Sequence, residues 1–141
     1  MQGFVFRPGD PRFEGRSADV ALQAALADPA ILMVNRNAGS GTRVLIDGLL
    51  GSARPAGYAN QPRSHNAVAA AVAQNRADWG VCIEPVARMY GLSFLPIAPE
   101  EYDFLLREAR RDRPAVRAFL AALHDENTRA RIRALGMEPT I

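Results

Sequence analysis

Short apolar runs alternate with segments of helical periodicity along this chain. The apolar runs predict β-strands at residues 4–6, 31–34, 78–83, 92–97 and 102–106. Helices are predicted after Ser17 to about residue 27, after the turn at 39–43 to residue 50, from residue 64, at 84–91, from residue 114 and at 125–136. This alternation predicts a single α/β domain over residues 1–141, with a largely parallel mixed sheet between two helical layers in a three-layer α/β/α arrangement.

The segment NRNAGSGTRVLIDGLLG, Asn35–Gly51, places a polar turn with two glycines between a predicted strand and a predicted helix. The first N–H groups of a helix have no intrahelical acceptor, and the helix dipole adds partial positive charge there. We therefore expect Ser40, Gly41, Thr42 and Arg43 to hold a small oxyanion or carboxylate. The alternative is that Ser40 only caps the helix and the glycines only shape the turn.

Two familiar nucleotide-binding loops do not fit this turn. The phosphate-binding loop of nucleotide hydrolases requires a lysine, and all 17 basic residues of this chain are arginine. The dinucleotide fingerprint begins correctly at Gly39 and Gly41, but Val44 stands where its third glycine belongs. A smaller anion remains the better fit.

A second polar helix start, at Ser64 and His65, resembles the first in character. Ligands of parallel α/β sheets bind beyond the carboxyl ends of the strands, so both helix starts are expected to converge on one anion. His65 would then donate a hydrogen bond to it, the alternative being an ordinary surface histidine. Tyr102 is a further candidate for the cleft, with packing or hinge roles equally compatible.

Composition limits the other possibilities. The net charge of +2 is small, and acidic residues interrupt the arginines at 107–113, so no nucleic-acid partner is expected. With no long apolar segment and no signal peptide, we expect a cytoplasmic protein without a membrane partner. The single cysteine, Cys82, lies in an apolar run and is expected to be inert. Neither a metal-ligand cluster nor a catalytic set stands out, so we expect binding without a cofactor rather than enzymatic turnover.

Four segments, in this order, resemble a known family: QGFVFRPGDP, VNRNAGSGTRVLIDGLL, GYANQPRSHNAVAAAVAQNRADWGVCI and YGLSFLPIAPEEYDFLL. The family is the periplasmic-binding-protein-like domain of bacterial and archaeal proteins linked to molybdenum metabolism. The resemblance runs from Gln2 to about Leu135 and is most specific at Asn35–Arg43 and Ser64–Gly80. It implies a type 2 solute-binding fold related to molybdate and tungstate binders, found fused to molybdopterin-biosynthesis enzymes or helix-turn-helix regulators.

On this resemblance the ligand contacts Ser40, Gly41, Thr42, Arg43, Ser64 and His65. The resemblance also implies that the chain is mainly the second lobe of a two-lobed domain. A first lobe or a second chain, for example in a homodimer, would then complete the clamp. The segment FLLREARRDRP departs from the family pattern at the return to the first lobe. The expected function is oxyanion binding or sensing in molybdenum metabolism or transcriptional regulation. Two alternatives stay open: a ligand-free oligomerisation module and an accessory domain of a molybdopterin-biosynthesis enzyme.

Overall fold

The computed structural model describes residues 1–140, which form two compact units, residues 1–100 and the residues from 101 onward. The first unit contains β1 (Gln2–Phe6), α1 (Ala18–Ala27), β2 (Met33–Val34), α2 (Gly41–Leu50), α3 (His65–Ala73), β3 (Trp79–Ile83), α4 (Glu84–Met89) and β4 (Ser93–Ala98). The second contains a short 3₁₀ turn at Glu108–Arg110, α5 (Pro114–His124) and α6 (Glu126–Ala134). Among residues 1–140, no helix is both long and apolar enough to cross a membrane.

The first unit is built on a mixed four-stranded sheet with the strand order β2-β3-β1-β4. The prediction of a mixed sheet is confirmed, but the prediction that it is largely parallel is wrong. Only β2 and β3 are parallel, whereas β1 runs antiparallel to both β3 and β4. The error arises because β1 is buried on both faces, and burial on both faces gives the same continuous apolar run in parallel and antiparallel strands.

Successive residues of β1 enter two different apolar clusters. Phe4 and Phe6 pack with Phe13 and Trp79, and Phe6 stacks on Phe13 with ring centroids 4.9 Å apart. Val5 joins the other cluster. Residues of α1 and α2 complete the first cluster and residues of α3 and α4 complete the second. The sheet is thereby fixed from both of its faces, which holds the ends of its strands in defined places.

Three helices of the first unit begin where their serine N-caps predict. Ser17, Ser40 and Ser64 are N-caps whose side chains each accept a backbone N–H, as the capping alternative for Ser40 proposed. The strand predicted at 31–34 shortens to Met33–Val34, because the N–H of Leu32 bonds the carboxylate of Asp78 instead of a strand.

The prediction of a strand at residues 102–106 is wrong. These residues have no regular structure, and the side chain of Leu105 is fully exposed. Apolar β-formers make a strand only where a neighbouring strand supplies hydrogen-bond partners. In the second unit the ring of Phe104 packs edge-on against Phe119 of α5, and no described residue of this unit is buried.

Candidate functional site

The candidate site forms where the chain leaves β2 and where α3 begins. Residues 35–37 continue beside residues 60–62, with Asn35 N donating to Asn60 O at 2.8 Å and Asn37 N donating to Pro62 O at 3.2 Å. Gly57 makes the turn that allows this approach: its φ is +86°, and a Cβ there would collide with the carbonyl oxygen of Met33. This pairing draws the segments that lead into α2 and α3 together.

The starts of α2 and α3 each leave two backbone donors open. Ser40 Oγ accepts from Arg43 N at 3.2 Å, and Ser64 Oγ accepts from Ala67 N at 3.1 Å. Two N–H groups per helix, at residues 41 and 42 and at residues 65 and 66, form no hydrogen bond within the part of the chain that the structure describes. Four N–H groups with the positive ends of two helix dipoles are the elements of an anion site.

Arg36 is the residue that distinguishes this place from two ordinary helix starts. Its side chain is buried, with 7% of the residue exposed. Its Nη1 lies 3.0 Å from Nδ1 and 3.1 Å from Nε2 of His65, while its buried Nε has no hydrogen-bond partner in the described part of the chain. Arg36 forms no ion pair with any carboxylate among residues 1–140. Burial lowers the pKa of Arg36, and the through-space charge of Glu100 opposes this shift without reversing it.

His65 lies half-buried against this guanidinium. Burial, followed by the positive charge of Arg36, lowers the pKa of His65 to about 4. The imidazole is therefore neutral near pH 7. The structure thus places His65 in contact with a cation, which makes it more than an exposed surface histidine.

Arg43, which the sequence predicts as a ligand contact, is occupied inside the protein. Its Nε lies 2.9 Å from the carboxylate of Asp47, its Nη1 donates to Arg36 O at 3.0 Å, and its Nη2 donates to Tyr58 Oη at 2.6 Å. The guanidinium also lies 4.6 Å from the ring centroid of Tyr58. We therefore describe Arg43 as a positioning residue that fixes the backbone of Arg36.

The remaining predicted site residues differ in their exposure. Gly41 and Ser64 are exposed, and Thr42 is 3% exposed. Tyr102 belongs to the second unit, where it is 82% exposed and its ring packs edge-on against Phe104. The candidate site is therefore built from the first unit alone.

Arg36 was not predicted as a site residue, although the sequence carries one signal for it. Val34 and Arg36 are two positions apart in an extended segment, so their side chains point to the same side. Val34 is an apolar strand residue, so an arginine in the same phase predicts a cation on a buried face. The structure places that cation beside His65 at the start of α3.

An open groove of about 500 Å³ lies between α3 and residues 60–62. Pro62 and Ala67, which help to anchor the two helix starts, also line this groove. Small alanine side chains on α3 leave the space open. A ligand held at the helix starts would therefore have room to extend along α3.

Comparison with known proteins gives a family and one distant relative. A family model described as a PBP superfamily domain matches residues 1–124. The chain is 33% identical over 107 residues to YvgK of Bacillus subtilis (strain 168), which is itself uncharacterized. That alignment covers 72% of this chain and 34% of YvgK, so the chain spans about a third of the length of this relative. No solved structure matches the chain.

Proposed function

We propose, from the premise that this chain belongs to the periplasmic-binding-protein (PBP) superfamily, that its first unit binds a small oxyanion at the starts of α2 and α3. Arg36 carries this proposal, because it is a buried guanidinium that has no carboxylate partner among residues 1–140. A buried charge is unfavourable unless it is paired and hydrogen-bonded. An anion would supply both the missing charge and an acceptor for Nε of Arg36.

The open backbone donors support the same position for the ligand. Residues 41, 42, 65 and 66 contribute four N–H groups that find no acceptor among the residues the structure describes. Hydrogen bonds to an ionised acceptor are roughly twice as strong as neutral ones, so an oxyanion gains most from such donors. The Ser40 hydroxyl is used within the protein, since it accepts from Arg43 N and donates to Asn37 O. The Ser64 hydroxyl accepts from Ala67 N and would donate its own proton to the anion.

Tetrahedral molybdate and tungstate are the leading ligands on the family resemblance, with sulfate and phosphate as the anions they must outcompete. We propose a binding and sensing role in the cytoplasm rather than turnover, within one lobe of a three-layer type 2 fold. A second lobe or chain would close over the anion. The difference in affinity between open and closed arrangements would then pass the signal to a regulator or a molybdopterin-biosynthesis enzyme.

Thermal unfolding with a panel of molybdate, tungstate, sulfate, phosphate and small carboxylates tests the proposal. A ligand that binds only the folded state adds about 2.7 kcal/mol at one hundred times its Kd. Wild type should be stabilised by at least one tetrahedral anion, and Arg36→Met should lose that stabilisation. Arg16→Met is the matched control, since Arg16 is an exposed arginine bonded to Pro11 O and its replacement should leave the anion response intact. An equal response in all three proteins would show that the anions act non-specifically.

A second candidate function is an interaction module, favoured by the apolar surface of the second unit. Tyr102, Phe104 and Leu105 are 82%, 56% and 102% exposed. Under this alternative the chain associates through these side chains without any ligand. Light scattering over a concentration series, with Leu105→Asp as the disrupting variant, separates the two functions because only association should respond to this change.

A further inference from the structure

We infer that the site binds a doubly charged oxyanion together with one proton, which is taken up from solvent by a ring nitrogen of His65. This inference rests on the proposed function and specifies the charge class of its ligand. Singly charged anions of the same shape would bind to the neutral form of His65, without taking up a proton.

The contact between Arg36 and His65 is the geometric basis. Both ring nitrogens of His65 lie within 3.1 Å of Nη1 of Arg36, so an imidazolium here would face a guanidinium at contact distance. Arg36 forms no ion pair with a carboxylate in the described part of the chain that would offset a second positive charge. The ligand-free site therefore holds one positive charge and excludes a second.

The surrounding titratable groups do not remove this constraint. Arg36 is the charged group in contact with His65. Glu100, after β4, and the thiol of Cys82, in β3, act on Arg36 only through space. Burial raises the pKa of Cys82 to about 12, so the thiol contributes no negative charge near neutral pH.

A bound anion favours the protonated form of His65, which the ligand-free site disfavours. The anion would lie against Arg36, within reach of the N–H of His65, and its charge would attract a proton onto the imidazole. A dianion then faces two positive charges, one on Arg36 and one on His65, which together match its own charge. A monoanion is already neutralised by Arg36.

The lowered pKa of free His65, about 4, is consistent with this scheme and fixes the sign of the pH dependence. The complex holds one more proton than the free protein, so dianion affinity should rise as pH falls from the pKa of the complex towards about 4. Full uptake corresponds to about a tenfold gain in affinity for each pH unit. Below that pH the free protein also carries the proton, and the dependence should level off.

Isothermal titration calorimetry with matched pairs of tetrahedral anions tests the inference. Sulfate and perchlorate form one pair, and tungstate and perrhenate form the other, with two charges and one charge respectively. Titrations in two buffers of different ionisation enthalpy count the protons taken up. We expect up to one proton per dianion and none per monoanion. The tungstate pair is compared at pH 8, and the affinity for sulfate, which keeps its two charges, should rise as the pH is lowered from 8 to 5.

Two histidine variants provide the controls, because the chain has two histidines. His65→Gln keeps a hydrogen-bonding side chain but cannot be protonated, so dianions should still bind, more weakly, without proton uptake or pH dependence. His124→Gln changes the histidine in α5, whose Nδ1 lies 2.8 Å from Leu120 O, and should behave as wild type. Dianion binding with no proton uptake in wild type would overturn the inference and leave the proposed function standing. Absence of binding by every anion at every pH would overturn both.

Discussion

Replacing Arg36 with methionine should leave the ligand-free protein as stable as wild type or more stable, whereas the same replacement at Arg43 should destabilise it by about 3 kcal/mol. Both arginines are buried, with 7% and 9% of the residue exposed. They differ in their partners, so the pair of variants separates a ligand-binding arginine from a structural one.

The loss of stability expected for Arg43→Met comes from the hydrogen bonds of Arg43. Methionine would remove the donors to Arg36 O and to Tyr58 Oη, and it would break the ion pair with Asp47. A hydrogen bond to a charged group contributes about 1.5–3 kcal/mol. The Asp47 side chain is 40% exposed and can be solvated, so its pairing adds little, and about 3 kcal/mol remains for the other two bonds.

The expected change in the free energy of unfolding for Arg36→Met has the opposite sign. Its side-chain partner is the neutral ring of His65, and no carboxylate of the described chain, residues 1–140, loses an ion pair when the guanidinium is removed. Methionine is a flexible side chain that fills irregular apolar space, so the cavity cost is small. Removing a buried charge that has no ion-pair partner among residues 1–140, and that Glu100 offsets only through space, should therefore stabilise the protein by between about 0 and 2 kcal/mol.

Urea unfolding in buffer free of oxyanions measures both effects, provided that the slope with urea concentration stays constant across the variants. Adding tungstate or sulfate should then raise the free energy of unfolding of wild type but not of Arg36→Met. If Arg36→Met folds but loses 3 kcal/mol or more without any anion, Arg36 is a structural residue and the argument from its uncompensated charge is refuted.

Three further predictions concern His65, Gly57 and Ser40. The pKa of His65 is about 4 in the folded protein, below its ordinary value of 6.5, because the folded state favours the neutral ring. The stabilisation linked to this shift is complete above pH 6.5 and is lost as the pH falls towards 4. Anion-free wild type should therefore lose about 2 kcal/mol more than His65→Gln over this range in pH-dependent urea unfolding. Gly57→Ala should destabilise the protein by at least about 2 kcal/mol, measured in the same way, because of its φ of +86° and the clash with Met33 O. Ser40→Ala should cost about 1 kcal/mol through the lost cap. Ser40→Asp should keep the cap and the stability but reduce anion affinity at least about tenfold in calorimetric titration, because it places a negative charge beside the site.

Each of these predictions has a result that contradicts it. Equal losses in wild type and His65→Gln would mean that His65 titrates normally in the folded protein. A Gly57→Ala variant as stable as wild type would show that residues 56–62 can move away from Met33. Unchanged anion affinity in Ser40→Asp would place any anion elsewhere on the protein.

Local patterns predicted the helices of the first unit well, because their signals are contained in neighbouring residues. Ser17, Ser40 and Ser64 each precede an apolar periodic segment, and each caps a helix in the structure. Strand direction is not contained in such local patterns. The apolar run of β1 predicted a strand correctly, but its antiparallel partners, β3 and β4, lie more than seventy residues away along the chain.

The candidate site also combines features that neighbouring residues encode with features that only the fold creates. The polar turn and the helix start at His65 were visible in the sequence as two separate motifs. Their connection through Arg36 depends on the pairing of residues 35–37 with 60–62, which no local pattern encodes. Arg43 looked available for a ligand because its partners, Tyr58 and the Arg36 carbonyl, are brought to it only by the fold.

Equilibrium dialysis against tungstate and against sulfate, with the bound anion counted by elemental mass spectrometry, tests the central claim most directly. We expect saturable binding of one anion per chain in wild type and loss of this binding in Arg36→Met, while Arg16→Met binds as wild type does. Wild-type protein that stays folded and retains no tetrahedral anion, or an Arg36→Met variant that binds as wild type does, would contradict it.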